Sequence, residues 1–293
     1  MGYSSYSTSD REERSERMNY RSAPREEVFT QQKLRTAHEL MLPRGVVFRE
    51  CRDSAAHANA TPIQLYLDVT GSMGHIPHEL IKTGLPHLMS TLIQNGVPDA
   101  ALMFGAVGDH ECDNFPLQVA QFESGDAELD MWLTRTYLES GGGGNAGESY
   151  MLAWYFAAHH VRTDAFEKRG QKGFVITIGD EPCLPNLPAS AVQAIMGSSA
   201  AAQGNFTKEV LLAEAQKSNH VYHIFIEHGH RTCDDGWRQL MGQNLVLIQD
   251  HTAVPSVIAS LILRHTSAVT QQAPPSPSAP VSNAPEGTHE EML

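Results

Sequence analysis

Asp68, Thr70 and Ser72 occupy alternate positions in Asp68-Val69-Thr70-Gly71-Ser72-Met73-Gly74. The stretch follows the apolar run Ile63-Gln64-Leu65-Tyr66-Leu67, which begins just after Pro62 and reads as a buried strand. One carboxylate and two hydroxyls on a tight loop can face a single point. Oxygen donors suit a hard divalent cation, and magnesium prefers an octahedron in which several corners are water. A plainer use of the same residues is a strand-to-helix turn, with Asp68 or Thr70 capping the helix.

Other groups repeat the pattern of a strand ending in polar residues. Lys172-Gly173-Phe174-Val175-Ile176-Thr177-Ile178 is a strong apolar strand that ends in Gly179-Asp180-Glu181. Ala100–Val107 reads as a strand running into Gly108 and Asp109, with Asp113 close behind. Gly141-Gly142-Gly143-Gly144-Asn145-Ala146-Gly147-Glu148 lies between two helical patterns. A glycine costs roughly 0.5–1 kcal/mol relative to alanine in regular structure, so such a run points to a backbone that must approach something closely. His228-x-His230-x-x-Cys233, with Asp234 or Cys183, offers a loosely spaced zinc set. His75 and His78 stand three apart at the start of a helical pattern and could face one way.

These groups need a scaffold. Residues 76–94 carry apolar side chains at helical spacing, interrupted by Pro86, which should kink or split the helix. Leu117–Phe122 alternates like an edge strand, and its short separation from the preceding strand favours antiparallel pairing. Helical patterns follow over 126–138 and 147–161, the second apolar around much of its surface. Two more occupy 188–217, separated by Gly204-Asn205, with the second starting at Thr207. Val221–Ile226 and Leu245–Ile248 are strands, Trp237, Leu240 and Met241 lie on a short helix, and 253–265 form a closing helix. Strands alternating with helices predict a doubly wound α/β fold with a mostly parallel sheet covered on both faces.

The hexapeptide Asp68-Val69-Thr70-Gly71-Ser72-Met73 resembles the metal-ion-dependent adhesion site of von Willebrand factor type A domains, in the D-x-T-G-S-M form of bacterial and phage intracellular members. The resemblance covers roughly residues 46–265. It implies a six-stranded sheet of order 3-2-1-4-5-6 with one antiparallel edge strand. In that order the strands ending at Asp68 and before Asp180 are neighbours at the topological switch point, where ligands bind. Two bare carboxylates about 4 Å apart repel by roughly 4 kcal/mol at an effective dielectric near 20, and a cation between them reverses the sign. The resemblance implies Asp68, Thr70, Ser72 and Asp180 as ligands of Mg2+ or Mn2+. The family's loop threonine aligns with Gly144, and its usual Thr-Asp-Gly is replaced by Ile178-Gly179-Asp180. Asn145 and Glu148 are therefore further candidates, directly or through water, and Asp109 and Asp113, ending the adjacent strand on the same side, could form an outer shell around the ion or a surface acid cluster. The implied function is metal-dependent binding of a protein partner that presents a carboxylate; many such proteins work beside AAA-type ATPases. The alternative is a metal-dependent phosphoester hydrolase with Glu181 as base.

Composition narrows the partners. The 293 residues carry a net charge of -13, which argues against nucleic acid as the main partner. No Gly-x-x-x-x-Gly-Lys-Ser/Thr nucleotide loop occurs, and Ser72 lacks the Gly-x-Ser-x-Gly frame of a hydrolase elbow. The 4 cysteines are widely spaced, as expected for reduced thiols in a cytoplasm. Met-Gly-Tyr-Ser-Ser-Tyr has no apolar signal core, and no apolar run approaches the ~20 residues of a membrane span. Residues 1–45 are polar and rich in mixed charge, predicting a disordered or loosely helical arm, either a solvated leader or a docking segment. Residues 266–293 turn to Pro, Ser, Ala and Gln, predicting a disordered tail.

Overall fold

The computed structural model describes residues 5–20, 22–97, 99–139, 145, 147–197, 205–229 and 231–270. Six strands form the central sheet: β1 (Thr61–Asp68), β2 (Ala100–Val107), β3 (Leu117–Val119), β4 (Gly173–Gly179), β5 (Asn219–Ile226) and β6 (Leu245–Ile248). Their spatial order is β3-β2-β1-β4-β5-β6, with every pair parallel except β2–β3. This is the expected doubly wound order, antiparallel edge included.

Alternation along the strands divides the core. Ile63, Leu65 and Leu67 of β1 face one layer, together with Phe104, Ile176 and Ile224. That layer is closed by α1 (Thr8–Arg17), α2 (Ile76–Glu79), α3 (Leu85–Gln94), α4 (Asp126–Thr134) and the last helix, Val254–Thr270. Tyr66 of β1 faces the other layer with Met103, Val175 and Phe225. There Met151–His159, buried on nearly all sides, packs with Ala189–Met196, Lys208–Ala215 and Asp235–Met241. Strands covered on both faces are apolar throughout, which is why β1 and β4 read as unbroken runs.

The break expected at Pro86 is a π-helical turn, Leu80–Gly84, between α2 and α3. Proline has no N–H for the i→i−4 ladder, and a widened turn just before it accommodates the missing bond. Residues 46–61 supply the short strand Arg49–Cys51, which pairs with Val161–Thr163 beside the main sheet.

Within the segment predicted as a disordered or loosely helical arm, Thr8–Arg17 form the helix α1. The described residues from Thr8 to Tyr20 strap across α4, while Arg44 and Gly45 reach the helix Ala189–Met196. Arg11 is buried and pairs with Asp130 at 3.0 Å, Arg14 pairs with Asp126 at 2.6 Å, and the Tyr20 hydroxyl donates to Asp130 at 2.8 Å. Further along the same segment, Phe29 and Met41 are fully buried. Two charges of the mixed run, Arg11 and Arg14, thus meet partners in α4, while Asp10, Glu12, Glu13, Glu16 and Arg17 stay exposed. Of the predicted tail, residues 266–270 continue the last helix, and the remainder lies outside the described residues. Among the described residues no helix is long and apolar enough to cross a membrane.

Candidate metal centre

Asp68 is the last residue of β1, and the chain then turns sharply. Thr70 is extended, Gly71–Met73 form a single 3-10 turn, and Gly74 takes φ +55, a left-handed value that releases the chain into α2. The turn holds Asp68, Thr70 and Ser72 over the carboxyl ends of the strands. The Thr70 backbone N–H and hydroxyl both donate to Asp68 Oδ1, at 2.9 and 2.6 Å. Thr70 Oγ1 and Ser72 Oγ stand 3.1 Å apart.

Asp180 arrives from the end of β4. Ser72 Oγ donates to its Oδ1 at 2.9 Å, and His228, just beyond β5, lies 2.8 Å from its Oδ2 through Nε2. Tyr150, at the head of the buried helix Met151–His159, donates its hydroxyl to Asp68 Oδ2 at 2.8 Å. Side chains from four chain segments thus form one continuous path: Tyr150, Asp68, Thr70, Ser72, Asp180, His228. Asp68 and Asp180 are both almost completely buried. Burial, and then the charge of Asp180, raise the pKa of Asp68, against the hydrogen bonds from Thr70 and Tyr150 that lower it.

Around this path lie the weaker candidates. Glu148 and Asp109 are buried, and Glu148 Oε2 and Asp109 Oδ2 have no hydrogen-bond partner among the described residues. Burial, followed by the charges of Asp68, Asp113 and Asp109, raises the pKa of Glu148. The Asp109 backbone N–H is held by Asp113 Oδ2 at 2.7 Å, while its Oδ1 accepts from the Glu111 N–H at 2.9 Å. Asn145 is exposed and its side-chain amide donates to Glu111 at 2.9 Å, so it is engaged on the rim. Gly144 lies outside the described residues.

The donor set fits a hard cation. Adjacent corners of an octahedron with metal–oxygen bonds of 2.0–2.1 Å are about 3 Å apart. The 3.1 Å between the two hydroxyls matches that edge. Two buried carboxylates bond to them, and Glu148, whose Oε2 has no partner among the described residues, lies close enough to feel the charge of Asp68. An unpaired buried charge is costly, and such a carboxyl is relieved either by taking up a proton or by coordinating a cation.

Two contributors escaped the sequence. Tyr150 reads as one more core aromatic. Its signal is at Gly179: a Cβ there would overlap the Tyr150 hydroxyl, so glycine before Asp180 marks a side chain seated beneath that turn. His228, grouped in sequence with His230 and Cys233, instead turns to Asp180. Cys233 sits apart, its N–H donating to Glu227 and its thiol to the Asp234 carbonyl. His230 lies outside the described residues, and no ligand group around His228 and Cys233 occurs among the described ones. His78 likewise leaves His75 and packs edge-on against Phe29.

No protein-family model matches this sequence, and no curated protein matches it. Among solved structures the chain is similar to the pilus adhesin SpaC from Lactobacillus rhamnosus GG, at 11% identity over 70% of this chain and 30% of that one, with TM-score 0.45. It is also similar to proximal thread matrix protein 1 from the mussel byssus, described with a zinc-occupied MIDAS motif, at 12% identity over 74% of this chain and 49% of that one, with TM-score 0.41. The likeness therefore spans less than half the length of either protein.

Proposed function

We propose that Asp68, Thr70, Ser72 and Asp180 hold one Mg2+ or Mn2+ ion, and that through it the protein binds a carboxylate presented by a partner protein. The chain is read here as a von Willebrand factor type A-like module, on the strength of its D-x-T-G-S-M hexapeptide and strand order. The observation that carries the reading is the pair of hydroxyls 3.1 Å apart, set between buried carboxylates from separate strands. A bound ion would supply a Lewis-acidic position at the surface end of the loop. Two of the four proposed ligands are neutral, which leaves the ion able to attract a further acid. A protein of a AAA-type ATPase system is one partner class that the family resemblance suggests.

Glu181, the base a hydrolytic reading would use, is paired with Arg231 at 2.5 Å. No observation favours hydrolysis over binding. The test is a Mn2+ titration of the full chain followed by electron paramagnetic resonance, beside a pull-down from native extract with magnesium or with chelator. One ion per chain is expected, with affinity falling at least about tenfold in Asp68→Ala, and with partner capture lost in chelator and in that variant. Capture that is indifferent to both would overturn the reading.

A further inference from the structure

Outside that centre, His75, Glu79 and His251 bring three ligand atoms within 4.8 Å of one another, and they are the one such His/Cys/Asp/Glu group among the described residues. We propose that these three residues form a second metal site, for zinc or a similar borderline-soft divalent ion, clamping the start of α2 to the turn before the last helix.

The chain arranges this locally. His75 immediately precedes α2 and Glu79 ends it, one turn later, so their side chains share a helix face. Their Nε2 and Oε1 atoms are 3.8 Å apart. His251 comes from the 3-10 turn His251–Ala253, whose N-cap Asp250 accepts from the Thr252 N–H at 2.9 Å. Its Nε2 is 2.6 Å from Glu79 Oε2, and its ring meets the His75 ring edge-on at 5.6 Å. The two elements are already pressed together below the site. A Cβ on Gly84 would lie 3.2 Å from both Leu80 and Pro255, so the π turn and the head of the last helix are in close contact. That packing holds His251 over Glu79 without help from a metal.

The chemistry differs from that of the first centre. Two imidazoles and one carboxylate suit zinc, cobalt or nickel, whereas magnesium prefers oxygen alone. Tetrahedral zinc with ligands at 2.0–2.1 Å places them about 3.4 Å apart, and the one ligand atom each residue offers lies within 4.8 Å of the other two here. Closure asks mainly for a swing of His75, the most exposed of the three, and leaves a fourth position for water. The site would also brace the first centre, because His75 follows Ser72 by only three residues.

The experiment uses the full chain carrying Asp68→Ala, so that the first centre is disabled, in millimolar magnesium, with zinc alone as the probe against a chromophoric chelator. One zinc per chain is expected. Adding His251→Ala or Glu79→Gln should weaken zinc by at least about tenfold. His75→Ala, at the exposed end, gives the same reading should His251→Ala fail to fold. Zinc affinity that stays within threefold in these variants, or zinc displaced by magnesium, would overturn the site. Neither outcome bears on whether Asp68 holds an ion, so the two centres fail separately.

Discussion

The Tyr150 hydroxyl donates to Asp68 Oδ2 from beneath the Gly179–Asp180 turn, in the space that any side chain at residue 179 would need. One tyrosine therefore links the two acids of the candidate centre: it bonds the first and fixes the backbone that presents the second. Gly179→Ala must push Tyr150 aside. The expected cost is about 1–3 kcal/mol of stability, read from the midpoint of urea unfolding at unchanged slope.

Tyr150→Phe separates the bond from the packing. It removes one of the hydrogen bonds that favour ionised Asp68, so the carboxyl's pKa should rise further. Proton competition then weakens Mn2+ binding at pH 7 more than at pH 8.5, while the fold loses about 1 kcal/mol. Manganese titrations at the two pH values check the split; an equal loss at both would point to displacement of the loop instead.

The acids also set a pH dependence whose sign can be worked out. Burial and neighbouring charge raise Asp68 and Glu148 in the folded state, so without metal the fold holds more protons than the unfolded chain. Their contribution to stability is present near the ordinary carboxylate pKa of about 4 and is lost as pH rises through the raised values. A bound cation needs the deprotonated groups and reverses that loss. The gap in Tm between magnesium and chelator should widen from pH 5.5 to pH 8.5. In Glu148→Gln the metal-free protein should lose less stability across the same interval. Thermal scans of both proteins in both buffers give the four curves required.

The strap over α4 makes a separate claim. Arg11 and Asp130 are both buried, and removing one partner of such a pair leaves the other charge uncompensated. Arg11→Ala is expected to cost about 3–5 kcal/mol. It should also speed cleavage within residues 5–45 under limited proteolysis. A variant as stable and as resistant as the parent would mean that the pair does not hold the segment in place.

That segment shows where sequence reading stops. β1, β2, β4 and β5 announce themselves because they are buried on both faces, and Asp68, Thr70 and Ser72 because their spacing is local. Arg11 and Asp130 look like any surface charges until the fold sets them together. The same holds for Tyr150, an aromatic in an apolar helix, and for His228, whose partner sits on another strand. Pro86 announced a break but not its form, since a kink and a π turn both dispose of a missing N–H. Pattern finds what lies within a few residues; what depends on chain crossing needs coordinates.

The flanks of the sheet carry one more implication. β3 has 3 residues and β6 has 4, against 8 in β1. Such stubs offer an incoming chain few unpaired amides and carbonyls on which to build. The longest and stickiest segments of this molecule are hidden in its middle, and runaway stacking of one copy on the next has little to start from. Edge-to-edge recruitment of a second copy through this central sheet would find only those stubs to grip.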